Sequence, residues 1–190
     1  LVIADETANP VYVAADLLSQ AEHDRLASAV LLTTSMELAR AVDAEIVRQA
    51  GYLSRSDIME ASLRDFGCAI VCDSLEQAIS LANEIAPEHL EIVTEDPRAV
   101  LPEIRNAGAV FLGEWSPEPL GDYLAGPNHV LPTSGTARFF SPLSVDSFLK
   151  TMSIVAYSRD ALAPIREQVV AMAEAERLTA HANSIRVRFE

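Results

Sequence analysis

Lysine occurs once in this chain, at Lys150, and 14 basic residues stand against 28 acidic ones, a formal net charge of −14 over 190 residues. Nucleic acids and anionic membranes are bound through surpluses of positive charge, so neither is expected as a partner. No apolar run approaches the roughly 20 residues that cross a bilayer, and no signal-peptide pattern is present. The sequence has no Gly-x-Gly-x-x-Gly, no Walker loop and no His-Glu-x-x-His. A dinucleotide cradle and the usual zinc-hydrolase helix are therefore not expected within it. Cysteine is scarce too: Cys68 and Cys72 stand in the run Gly67–Cys72. Their even spacing puts both on one face of a strand, too far apart to bond readily, and they read as reduced, buried thiols of a cytoplasmic protein.

What is present is ample material for a core, with 49% hydrophobic residues. Short β-branched runs alternate with helical periods. Leu1–Ala4, Ala29–Thr33, Gly67–Cys72, Leu90–Val93 and Ala109–Leu112 read as strands. Asn9-Pro10 offers a cap and a first-turn proline for a helix running toward His23. Thr34-Ser35-Met36-Glu37 has capping-box spacing, and Ala39, Val42 and Ile46 follow on one face. Ser56–Phe66 reads as another helix. Ser74-Leu75-Glu76-Gln77 caps one with Ala78, Leu81 and Ile85 inward, and a further helix is expected around Arg98–Asn106. Such alternation implies an α/β fold, a mostly parallel sheet with helices on both faces. After Gly113, prolines and glycines predict a long irregular stretch, more often functional than idle at that length. One helix is expected from about Arg159 to Ala182, with Leu162, Ile165, Val169, Met172 and Leu178 on one side, in a small appended unit. The expected boundaries are residues 1–143 and 144–190. The chain opens without an initiator methionine inside an apolar run and reads as a piece of a longer polypeptide, with exposed strand edges that favour association.

Four histidines occur, all in polar surroundings. Gln20 and His23, three apart near a helix end, project from one face and could begin a metal site, or simply decorate a surface. Glu88 and His89 follow Pro87 on what reads as a loop. They could supply a carboxylate and an imidazole for proton transfer, or be solvated polar groups. Asp122, in the irregular stretch, could complete a metal site or hold a polar substrate. The hydroxyl-rich turn Thr133–Arg138 reads as structural hydrogen bonding. Glu176 and His181 near the last helix's end read, on their own, as surface residues.

Four motifs in order, Ala-Asp-Leu-Leu-Ser-Gln-Ala-Glu-His at 15–23, Ala-Pro-Glu-His-Leu-Glu at 86–91, Gly-Pro-Asn-His-Val-Leu-Pro-Thr at 126–133 and Ala-His-Ala-Asn-Ser-Ile at 180–185, resemble the histidinol dehydrogenase family along the whole chain. The resemblance implies a zinc-dependent, NAD-linked enzyme of histidine biosynthesis that oxidises L-histidinol through the aldehyde to L-histidine. By motif, the zinc ligands are Gln20, His23, Asp122 and His181, and Glu88 and His89 are the acid–base pair. His129 and Glu176 contact substrate, as do the zinc ligands and His89. It also implies a homodimer in which the C-terminal unit crosses over, so that Glu176 and His181 serve the partner's site. The family's NAD-binding domain and a substrate-contacting serine fall upstream of Leu1, so no NAD-binding residue is expected in this chain and it should not turn over alone. Arg177 stands where the family usually has glycine. A dehydrogenase of another polar alcohol, a non-catalytic assembly fragment and a zinc hydrolase are the competing readings.

Overall fold

The structure is a computed structural model and describes all 190 residues. It divides into two compact units, Leu1–Phe148 and Leu149–Glu190. The first is a wholly parallel five-stranded sheet in the order β3-β2-β1-β4-β5. Its elements in chain order are β1 (Val2–Ala4), α1 (Pro10–Ala21), β2 (Val30–Thr33), α2 (Met36–Ala50), α3 (Ser56–Phe66), β3 (Cys68–Val71), α4 (Leu75–Ile85), β4 (His89–Val93), α5 (Pro97–Val100), β5 (Ala109–Leu112) and α6 (Glu118–Tyr123). β1 is the centre of the sheet, with Val2 in register with Leu31 on one side and Glu91 on the other.

Strand alternation divides the core between the two faces. Val2, Ala4, Leu31 and Val93 pack with Val13, Leu17, Leu18, Val42 and Met59 of α1–α3. Leu1, Ile3, Leu32, Leu90 and Ile92 pack with Ala78 and Ala82 of α4 and Val100 of α5. Each fully buried leucine or isoleucine in these layers contributes about 1.5–3 kcal/mol. Helix starts follow local chemistry. The Asn9 side chain accepts from the Val11 amide at 2.9 Å ahead of Pro10, and Ser74 accepts from the Gln77 amide. Such caps are worth about 1 kcal/mol each.

Several sequence expectations need correction. Ser35, not Thr34, caps α2, accepting from Leu38. Ile85 is exposed at the end of α4, where Ala82 takes the inward place. The helix expected around Arg98–Asn106 is only the short α5 and a 3-10 turn over Leu101–Glu103, because Pro102 opens that turn and Ile104 is already extended. Cys72 is buried, but Cys68 is exposed, since β3 is an edge strand with every residue open on this side. Both cysteines are free.

The second unit holds three helices rather than one: α7 (Arg159–Leu162), α8 (Arg166–Ala175) and α9 (Thr179–Arg186). Pro164 sits in a 3-10 turn between the first two. The break after α8 falls at Arg177, whose φ of 61° is left-handed. That conformation costs an ordinary residue about 1–2 kcal/mol and glycine almost nothing. Of the residues read along one side, Ile165, Val169, Met172 and Leu178 are exposed; Val170 and Ala182 are the buried residues.

Candidate functional site

Three elements of the first unit converge on a cleft of about 420 Å³ at the amino-terminal edge of the sheet, lined by Gln20, His23, Glu88, His89, Asp122 and His129 among others. Gln20 lies in the last turn of α1, and His23 follows two residues after the helix ends. His89 opens β4 instead of lying on a loop, so its side chain is fixed by the strand's alternation. The turn into β4 is made by Ala86, left-handed at φ 53° and fully buried. Glu88 is held by its own backbone, whose carbonyl accepts from the Ala109 amide at 2.8 Å.

Asp122 comes from α6, a six-residue helix in the irregular stretch. This helix lies against β5 because residue 121 is glycine. A Cβ there would stand 2.6 Å from the Phe111 ring, too close for any real contact. His129 is exposed at the rim of the cleft. Glu176 and His181 belong to the second unit, where both are exposed, Glu176 just after α8 and His181 in the first turn of α9.

The electrostatics are one-sided. No lysine or arginine lines the cleft. Behind it stand two acids given no part by the sequence, Glu91 and Glu118, both buried at about 5% exposure. Glu91 accepts from the Glu118 amide at 3.0 Å. Its carboxyl also meets that of Asp16 on α1, and burial together with Asp16 pushes Glu91 well above the usual carboxylate range. Burial, and then the neighbouring Asp122, likewise raise Glu118. Burial raises Glu88. It pushes His89 down to about 4, leaving a neutral imidazole.

The imidazole is also oriented. His89 Nδ1 lies 3.0 Å from Gln20 Oε1, an atom that can only accept, so Nδ1 carries the proton and Nε2 the lone pair. Nε2 has no hydrogen-bond partner, and neither has Glu118 Oε1, 3.7 Å away; both atoms are sealed from solvent. Orphaned buried atoms of this kind cost about 1–3 kcal/mol each, and a site that keeps them has a use for them. Donor atoms of His89, Glu118 and Asp122 lie within 4.8 Å of one another, close enough to share one ion, and of the ligands the sequence pointed to only Asp122 belongs to this group. An amide oxygen, imidazoles and carboxylates in a negative cleft suit a divalent cation of the zinc type.

The sequence brought Gln20, His23, Glu88, His89, Asp122 and His129 to notice, and all six line this one cleft. It missed Asp16, Glu91 and Glu118. For Glu91 a signal existed, since two residues after His89 on a strand means the same face.

The histidinol dehydrogenase family model matches residues 1–189. Histidinol dehydrogenase of Caldanaerobacter subterraneus subsp. tengcongensis is 67% identical over 98% of this chain and 44% of that protein. That of Clostridium acetobutylicum is 60% identical over the whole chain and 44% of its own length. Among solved structures, histidinol dehydrogenase from Elizabethkingia anophelis superimposes with a TM-score of 0.91 at 42% identity, covering 98% of this chain and 43% of that one. The chain thus spans a little under half the length of the relatives it matches.

Proposed function

Because the chain belongs to the histidinol dehydrogenase family, we propose that it forms the zinc- and substrate-binding part of an enzyme that oxidises L-histidinol through the aldehyde to L-histidine. Two hydrides pass in turn to two NAD molecules, which are bound by parts of the enzyme outside this chain. Gln20, His23 and Asp122 hold the zinc together with His181. In a homodimer, His181 and Glu176 are contributed by the second copy. Zinc, when bound, supplies a template that fixes the imidazole and amine nitrogens of the substrate.

The chain's own residues then divide the proton work. The lone pair on His89 Nε2 accepts the hydroxyl proton as the alcohol becomes an aldehyde and its hydride leaves for NAD. A neutral imidazole is the form needed for that step, and burial keeps it so. Glu88 takes a proton from the water that hydrates the aldehyde, giving the diol from which the second hydride departs. His129, at the rim, contacts the substrate, and the reduced cysteines suit work in the cytoplasm. No helix is long and apolar enough to cross a membrane.

The observation that carries this reading is the convergence of six residues, from three separate stretches of the sequence, on one cleft that has no lysine or arginine in its lining. The test is NADH formed per limiting L-histidinol, using the complete reading frame, with and without a zinc chelator. About two NADH per substrate, abolished by the chelator, supports the two-step assignment. One or none would move the assignment to a dehydrogenase of another polar alcohol or to an inactive relative.

A further inference from the structure

Glu91 lies between the three elements that carry the site. Alternation along β4 sends Leu90 and Ile92 into the core beneath α4 and leaves His89 and Glu91 on the α1 side. On that side Glu91 faces Asp16, one helical turn before Gln20 on α1. It also takes the amide of Glu118, one helical turn before Asp122 on α6. Residues four apart on a helix share a face. Glu91 therefore holds α1 and α6 each one turn behind the side chain that the helix presents to the cleft.

α6 has particular need of such a hold. Its N-cap is Pro117, which offers no side chain to the first-turn amides, and no side-chain cap is made within the helix. A buried carboxyl from a strand does the work that Ser or Asp does in other helices. We propose that Glu91 is a positioning residue, a clamp that sets the spacing of Gln20 and Asp122 and so the zinc affinity of the cleft. This rests on the zinc-binding reading above.

Glutamine is a close replacement for a carboxyl that faces the Glu118 amide and Asp16. Its oxygen accepts from the Glu118 amide and its amide donates to Asp16. Methionine fills a similar volume and does neither. The experiment is zinc affinity of the complete enzyme by competition with a chelator, with KM and kcat measured at saturating zinc, for Glu91→Gln and Glu91→Met.

Loss of both bonds should weaken zinc binding about tenfold or more and raise KM in step, while kcat changes less than about threefold. Glu91→Gln should bind zinc within about threefold of the parent. A glutamine variant as impaired as the methionine one overturns the clamp, as does a methionine variant with parental affinity. Glu91→Asp, too short to reach both partners, takes the place of methionine where that variant does not fold, with the same weakening expected. A parent enzyme without zinc affinity removes the zinc-binding reading itself, a result separate from any difference among variants.

Discussion

The two ends of the sheet have opposite uses for their polar atoms. Beyond the carboxyl ends of β1 and β4, where open α/β sheets usually take their ligands, lies a crevice of about 900 Å³ lined by Asp5, Glu76, Glu84, Glu95 and Asp96 among others. The cleft at the amino ends is less than half that size, at about 420 Å³. In the larger crevice the side chains of Asp5 and Asn83 are committed to the protein itself. Asp5 accepts from the amide and hydroxyl of Thr7 and from the Glu95 amide, and Asn83 bonds with the backbone of Glu103, Arg105 and Asn106. At the smaller cleft His89 Nε2, and behind it Glu118 Oε1, have nothing to bond. An unpartnered imidazole beside an unpartnered carboxyl, rather than volume, marks the site.

Four substitutions probe this contrast. The largest effect is expected for His89→Asn in the complete enzyme, a fall in kcat of about 10²–10⁴-fold by steady-state NADH formation, the usual share of a positioned base. A kcat near the parent's would break the contrast outright. Gly121→Ala should destabilise by about 1–3 kcal/mol in urea unfolding as the new methyl meets Phe111, and should weaken zinc binding because Asp122 is the next residue.

Asp5→Ala should cost about 1–2 kcal/mol through its lost backbone bonds, while zinc affinity, read by chelator competition, stays with the parent. A change in zinc affinity would show that the two ends are coupled. Thr94→Val is the smallest. Its hydroxyl is the one buried orphan at the carboxyl end. Replacing it with a methyl of the same shape should leave the melting temperature unchanged or raise it slightly, by about 1 kcal/mol or less in stability.

The sheet was legible because its signals are local. Asn9-Pro10, Ser74 and the β-branched runs each act within a few residues, and all five strands and their parallel pairing follow from them. The appended unit was less so. Its apolar period runs through Pro164 and Arg177 as if neither interrupted a helix, and the backbone at both breaks the pattern. The members of the site could be named from their motifs, but the contacts among their supporting acids could not, even though strand alternation puts Glu91 on the face of His89. Glu91 meets Glu118 across 27 residues and Asp16 across 75, and no spacing rule reaches that far. Cys68 misled for a related reason, since even spacing shows which face a residue shares and not whether its strand lies at an edge.

The junction between the two units falls at Phe148–Leu149, and the chain's single lysine, exposed, is the next residue. The one ε-amine in the sequence thus stands at the boundary between the two units. A lysine-directed protease meets one target in these 190 residues and separates the sheet from the helical unit in a single cut. An amine-reactive dye likewise places its one side-chain label at the boundary.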